Sequence, residues 1–371
     1  MSAGAGAADG GPGDPGDKYE MVQKVGKGAF GEVWKARVKA TGEMVAVKEI
    51  KLVSGAEGAG FDKSAIDEIC VMQELKHENV LTLIEVFPAR GGTLSMVLEL
   101  VATDLEVIMR ASKEAGELFI PAAEIKAYMK MLLSAMHYCH TNYILHRDLK
   151  PANLLITAEG VLKLCDFGLA RTFGSPSGRY SPEAITIWYR PMELLLGAER
   201  YGPPCDMWGV GCIFGEMMLR SPILASDPPV EMKQIERIIE LLGSPSEKNW
   251  PHMEQLPGAP AKGKGAPRLK IRFKPREPYP LNQVFTAASD DAIHLIRNLL
   301  LYDPCARLSA AQALDHPYIT NGELPAPCSA IAQRVANMMA KRDNEKQAAH
   351  AEAPEAKHGL KRKAADSPVL G

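Results

Sequence analysis

The 371 residues carry a formal net charge of −2, with 46% hydrophobic and 24% charged side chains; this ordinary globular balance creates no global demand for nucleic acid or an anionic membrane. Seven cysteines without a CxxC pair read as reduced intracellular thiols, not disulfides or a zinc site. The opening MSAGAGAADGGPGDPGD lacks the blocks of a signal peptide and the Met-Gly myristoylation pattern, and the most apolar stretch, MWGVGCIFGEMML, is too short to span a membrane and carries Glu216.

Residues 1–18 offer almost nothing to bury, which predicts a disordered leader. From Tyr19, YEMVQKVGKGAFGEVWKARV and MVAVKEIKL alternate apolar and polar residues around glycine turns, as in an antiparallel sheet. SAIDEICVMQELK has helical spacing, with Ile66, Ile69, Cys70, Met72 or Gln73, and Leu75 on the expected apolar face. TLSMVLELV reads as a further strand. Beyond Asp104, helical patterns such as AAEIKAYMKMLLSAMHYCH and VEMKQIERIIELLG dominate. A small β-rich part followed by a larger helical part predicts two lobes with a cleft between them. Residues 257–280, rich in Pro, Gly, Lys and Arg, read as a surface insertion, and 320–371 as a partly helical or disordered tail. The KRK at 361–363 reads either as a nuclear address or as a solvated basic patch.

GKGAFGEV sets Gly26, Gly28 and Gly31 in a G-x-G-x-x-G-x-V pattern. A dinucleotide site needs a helix next, whereas EVWKARV has a strand pattern. Two readings stay open: a plain hairpin, or a turn whose backbone N–H groups lie over phosphates. Lys48, in VAVKEI, either snorkels to water or pairs with phosphate oxygens while Glu68 holds it. ILHRDLKPANLLI crowds charged and amide groups between apolar flanks. Asp148 there would orient the proton of an attacking hydroxyl, Lys150 would neutralise a moving phosphoryl group, and Asn153 would reach a metal. Asp166 follows an apolar strand in KLCDFGLAR. Two hard oxygen ligands, Asn153 and Asp166, suit Mg2+. Each aspartate could instead cap a helix or a turn, but that reading must then hold independently at several sites, in this order and spacing.

Together GKGAFGEV, VAVK, HRDLKPAN and DFG resemble the eukaryotic protein kinases, over residues 19–319. The resemblance implies an α+β, bilobal fold. A small antiparallel sheet with one main helix would form the N-lobe (19–101), and a larger, mostly helical C-lobe would follow (102–319). It also implies ATP and Mg2+ as cofactors and phosphoryl transfer to Ser or Thr. The nucleotide site would comprise Val25, Gly26, Lys27, Gly28, Ala29, Phe30, Gly31, Glu32 and Val33 of the glycine loop, Lys48 with Glu68, the hinge residues Glu99 and Val101 behind Leu98, and Asp104 on the ribose. Asp148 and Lys150 would be catalytic, and Asn153 and Asp166 would bind metal. Asp206 would hold the catalytic-loop backbone, and Glu193 would pair with Arg307.

LLGSPSEKNWP and the insertion after it resemble the group of cyclin-dependent and mitogen-activated kinases; the missing Thr-x-Tyr pair argues against the second. Arg190 in TIWYR goes with Ser or Thr followed by Pro. TDLEVIM, IKAYM and LRSPIL are similar to the CDK-activating, TFIIH-associated subgroup, while VFPARGG and ELPAP are similar to the cell-cycle-related kinases linked to cilia. The resemblance implies protein substrates and a cyclin or cyclin-like activator, with no direct nucleic acid and no membrane. The helix segment lacks the usual cyclin-facing signature, however. An inactive scaffold would have lost Lys48, Asp148 or Asp166, and all three are present.

Three departures stand out. Ala29 and Phe30 occupy the places of an inhibitory Thr-Tyr pair. Ser181 stands at the site of the activating phosphate, with Ser175 as a second candidate and Arg147 and Arg171 as the phosphate pocket. The family's third arginine is replaced by Asp67. A carboxylate and a phosphate repel by roughly 4 kcal/mol per unit-charge pair at about 4 Å and an effective dielectric of about 20. Either Asp67 points elsewhere or a Ser181 phosphate orders its segment less well, so activity is expected to depend only weakly on Ser181. Cys165 reads as a small buried thiol, not a reactive one.

Overall fold

The computed structural model describes residues 15–27, 31–51, 53–55, 58–89, 93–115, 120–174, 178–258 and 273–322. Gly28, Ala29, Phe30, Ser175, most of the leader, 259–272 of the insertion and nearly all of the tail lie outside the described residues. At the leader's end, Pro15–Lys18 forms a 3-10 turn, and Lys18 Nζ reaches Glu85 at 3.1 Å.

Five strands form an antiparallel sheet: β1 (Tyr19–Lys27), β2 (Glu32–Val38), β3 (Met44–Ile50), β4 (Leu83–Ala89) and β5 (Thr93–Glu99), in the order β1-β2-β3-β5-β4. Side chains alternate across a strand. Val45 and Val47 therefore join Tyr19, Ala36, Phe87 and Val97 in a small cluster on one face. On the other face Ile50, Met96 and Leu98 meet the helix α1 (Lys63–Glu74) through Ala65, Ile69 and Met72. This alternation turns Lys48 toward α1. The Asp62 side chain starts α1 by accepting from Ser64 N at 2.8 Å.

The buried face of α1 differs from the sequence expectation. Ile69, Met72 and Leu75 are buried as expected, but Ile66 and Cys70 are exposed, and Ala65 and Glu68 are buried in their stead. The helix is rotated so that Glu68 faces inward, where Lys48 compensates its charge. Apolar periodicity alone assigns such a position to solvent.

The rest of the chain is mainly helical. It contains α2 (Leu105–Ala115), α3 (Ala122–Thr141), α4 (Pro204–Leu219), α5 (Glu231–Leu242) and α6 (Asp290–Leu299). α4 is apolar almost all round and central, with Trp208 and Phe214 fully buried. Ser289 caps α6 by accepting from Ala292 N at 3.2 Å. Short strands carry the loops between the two parts. β6 (Thr103–Asp104) pairs with β8 (Leu154–Ile156), which pairs with β9 (Leu162–Leu164). β7 (Ile144–Leu145) pairs with β10 (Arg171–Thr172). The segment rich in polar groups lies between β7 and β8, and Asp166 lies between β9 and β10, so the two loops run side by side.

Candidate active site

Lys48 does not snorkel. Its Nζ donates to both carboxylate oxygens of Glu68, at 2.9 and 2.8 Å, and the two side chains are only 12% and 4% exposed. Burial pushes the Glu68 carboxyl up, against the pull of Lys48. In the glycine loop, Val33 lies opposite Lys48 in the sheet register. Gly26 and Lys27 pair with Val33 and Glu32 at the end of the β1–β2 ladder, and Val25 is exposed. Glu32 also reaches Lys24 at 2.5 Å. A Cβ on Gly31 would lie 1.7 Å from the Glu49 carbonyl oxygen, whereas one on Gly26 would meet nothing within 4 Å. Close backbone approach therefore requires the glycine at 31, whatever binds above it.

At the link between the two parts, Leu98 is buried and Val101 packs against the main core. The Glu99 carboxylate accepts from Thr82 N at 2.6 Å and pairs with Lys163 at 3.0 Å, while its backbone N donates to the Thr82 carbonyl at 3.2 Å. Asp104 Oδ1 accepts from Val107 N at 2.8 Å. The helix-cap alternative thus holds at Asp104, whose carboxyl burial pushes up.

The catalytic loop hangs on Asp206, at the start of α4. Its carboxylate accepts from the backbone N–H groups of His146 and Arg147, at 3.0 and 2.9 Å, and meets His140 Nε2 at 3.0 Å. Burial alone would raise this carboxyl; His140, His146 and the Arg147 amide hold it below its ordinary value instead. Anchored this way, Arg147 adopts a left-handed φ of 65°, a conformation a non-glycine residue keeps only when its surroundings enforce it. Asp166 has the same φ of 65°.

Asp148 is buried and triply held. Lys150 Nζ donates to its Oδ2 at 2.6 Å, Asn153 Nδ2 to the same oxygen at 3.0 Å, and Thr186 Oγ1 to its Oδ1 at 2.7 Å. Asn153 Nδ2 also reaches the Asp148 carbonyl at 2.8 Å. The Asn153 nitrogen is thus engaged within the loop, which leaves its amide oxygen to serve as a ligand. Cys165 N donates to the Asn153 carbonyl at 3.0 Å, setting Asp166 beside Asn153. Burial pushes the Cys165 thiol up, with Asp166, Glu68 and Asp104 adding to the rise and Lys48 opposing it. Those four charges therefore lie near the Cys165 thiol, which is itself half-buried. Lys48, Glu68, Asp104, Asp148, Lys150, Asn153 and Asp166 are therefore brought together.

Sequence reasoning gave Thr186 no role. It opens the TIWYR motif, but it lies 38 positions from Asp148, and nothing in the sequence pairs the two. Ser181 is exposed, its Oγ accepting from Glu183 N at 3.3 Å. Asp67 does not turn away: its carboxylate pairs with Arg171 at 3.2 Å.

A family profile described as the protein kinase domain matches residues 19–319. The chain belongs to the protein kinase family. The kinase is 45% identical over 320 residues to cyclin-dependent kinase 7 of Dictyostelium discoideum, covering 84% of each chain. It is 43% identical over 311 residues to cyclin-dependent kinase 7 of Xenopus laevis, covering 84% of this chain and 83% of the other. A solved CAK complex of Chaetomium thermophilum bound to ATP-gamma-S contains a chain that superposes with a TM-score of 0.75 at 36% identity, covering 83% of this kinase and 93% of that chain. The kinase is a serine/threonine protein kinase of the cyclin-dependent type that uses ATP, and the CDK-activating likeness outweighs the ciliary one. Among the described residues, no helix is long and apolar enough to cross a membrane.

Proposed function

We propose that this kinase phosphorylates the activation segments of other cyclin-dependent kinases, working with a cyclin-like partner and Mg-ATP. Relatives named cyclin-dependent kinase 7 and a neighbour from a CAK complex support the substrate class and the partner. Residues 19–101 and 102–319 act as the lobes that close on the nucleotide. The observation that carries the reading is the Asp148 carboxylate, held between Lys150, Asn153 and Thr186, together with the buried Lys48–Glu68 pair.

In this reading the protein's work is positioning and charge stabilisation. Lys48, fixed by Glu68, holds phosphate oxygens of ATP under the strand ends at Val25–Val33. Asp148 orients the substrate hydroxyl and takes its proton. Lys150 lies against developing charge on the transferred group. Thr186 fixes the Asp148 rotamer and ties the catalytic loop to the segment that presents the peptide. The Asn153 amide oxygen and the Asp166 carboxylate are hard donors and fit Mg2+, which would neutralise phosphate charge. Arg190, donating to the Glu183 and Ile185 carbonyls and paired with Glu231 at 3.0 Å, shapes the floor where a proline would follow the acceptor.

Turnover with a cyclin-dependent-kinase activation-segment peptide, a polymerase-tail peptide and an aminoglycoside tests the substrate class; preference for the first is expected, and equal or greater turnover of the aminoglycoside would end the protein-substrate reading. Asp148→Asn is expected to lower kcat by about a thousandfold, with ATP affinity within about threefold of wild type. Surviving turnover would remove Asp148 from its role.

A further inference from the structure

Two arginines in this kinase occupy the place where a phosphate on Ser181 would be expected to bind, and both already have partners. Arg171 pairs with Asp67 at 3.2 Å and donates to the Ala170 carbonyl at 2.7 Å. Arg147 Nε donates to the Leu169 carbonyl at 2.7 Å, and Nη1 to the Tyr201 hydroxyl at 3.1 Å. Its guanidinium lies 5.7 Å from the centre of the Tyr180 ring. Tyr201 in turn donates to the Ser181 carbonyl at 2.7 Å, and Tyr180 to the Thr172 carbonyl at 2.9 Å. The two rings pack at 5.3 Å, and Tyr180 N donates to the Glu199 carbonyl at 2.8 Å. The segment around Ser181 is thus tied to Arg147 through Tyr201 and Tyr180, and to β10 through the Thr172 carbonyl, by contacts that use no phosphate.

Asp67 has a further consequence, because of its place in the chain. It adjoins Glu68 on α1, so whatever holds Asp67 also sets the helix rotation that brings Glu68 to Lys48. Arg171 begins β10, which pairs with Leu145 immediately before the catalytic loop. The Asp67–Arg171 pair therefore joins the helix that positions Lys48 to the strand that positions Asp148.

We propose that Asp67 is a positioning residue that stands in for the activating phosphate: its carboxylate, supplied by α1, holds Arg171 and sets the active arrangement while Ser181 is unmodified. A phosphate and a fixed carboxylate both offer oxygens to a guanidinium. Here the carboxylate is encoded in the helix and needs no second kinase to install it. A phosphate added at Ser181 would compete with Asp67 for Arg171 and repel it.

The inference rests on the kinase reading above, and the test separates the two. The full chain is purified with whatever partner accompanies it, and variants are compared by ratio, using any peptide the wild type turns over. A wild type inert toward every peptide refutes the functional reading; the ratios decide this one. Ser181→Ala should keep at least about a third of wild-type kcat. Asp67→Asn should lose at least about tenfold in kcat while ATP affinity stays within about threefold, and Asp67→Glu should recover most of the loss. Asp67→Arg should make the kinase phosphate-dependent, so that adding Ser181→Ala costs at least about a further tenfold. Because Ser181 is exposed and Asp67 is partly so, thermal midpoints should move little. Ser181→Ala below that third, Asp67→Asn with undiminished kcat, Asp67→Glu no better than Asp67→Asn, or an Asp67→Arg enzyme indifferent to Ser181 each overturns the proposal.

Discussion

Glu216 lies buried on α4, where the Tyr189 hydroxyl donates to it at 2.7 Å. Burial lifts its carboxyl from the usual value near 4.5 to about 7; the Tyr189 hydrogen bond opposes the rise and Glu106 adds to it. An acid whose folded-state pKa is raised contributes stability below its unfolded pKa and loses it as pH climbs through the folded one. The rise from 4.5 to about 7 amounts to about 3 kcal/mol. Wild-type stability should therefore contain a component that fades between about pH 4.5 and 7. Glu216→Gln keeps an acceptor for Tyr189 and removes the titration, so its unfolding midpoint should change less over that window and exceed wild type at pH 8. Parallel melting-temperature profiles for the two proteins would refute this. The sequence could not show the effect, because Glu216 reads there only as a charge interrupting an apolar helix. By contrast, the fixed offsets among Asp148, Lys150, Asn153 and Asp166 were legible, since they occupy adjacent loops between short strands. What sequence reasoning missed at this scale depends on distant partners: Thr186 on Asp148, Lys163 on Glu99, and the Val107 amide on Asp104.

The β1–β2 hairpin separates two uses of glycine that one motif merges. At Gly31 the Glu49 carbonyl leaves no space for a Cβ, while Gly26 stands in the open. Gly31→Ala should pry the hairpin from β3, lower the melting temperature by several degrees and raise the KM for ATP. Gly26→Ala should leave the melting temperature within about 1 °C, since an exposed site away from strain changes stability by about 0.5 kcal/mol or less. Any rise in its KM for ATP then reports contact with the nucleotide. Equal thermal losses in both variants would refute the distinction. α1 carries a similar lesson. Its boundaries follow from the Asp62 cap and the apolar spacing, but its rotation does not. The buried charge of Glu68 fixes that rotation, and Glu68 is stable there only because Lys48 projects from β3 on the facing side.

Across the whole molecule, long-range ionic contacts fasten segments that the sequence leaves far apart. The order of β-rich and helical parts was legible because hydrophobic periodicity changes near Asp104. The fastening was legible only through the family resemblance, as at Glu193 and Arg307. Arg307 spans 114 positions to grip both Glu193 oxygens, at 2.9 and 3.1 Å. It also donates to the Leu301 and Pro204 carbonyls, and its guanidinium lies 5.1 Å from the Trp208 ring. Glu193 lies three residues past Arg190, at the end of the segment that contains Tyr189, so the pair ties that segment's end to the helical core. Lysine has a compact charge without the planar fork and cannot serve two carboxylate oxygens and two carbonyls together. Since the Arg307 side chain is wholly buried, Arg307→Lys leaves acceptors without donors and should cost about 3 kcal/mol. In a domain of this size that corresponds to a fall of roughly 5 °C in melting temperature. Adding Glu193→Gln to Arg307→Lys should cost much less than Glu193→Gln alone, because the partners share one interaction. Full additivity in that double-mutant cycle, read by thermal unfolding, would mean that the pair does not join the activation segment to the core.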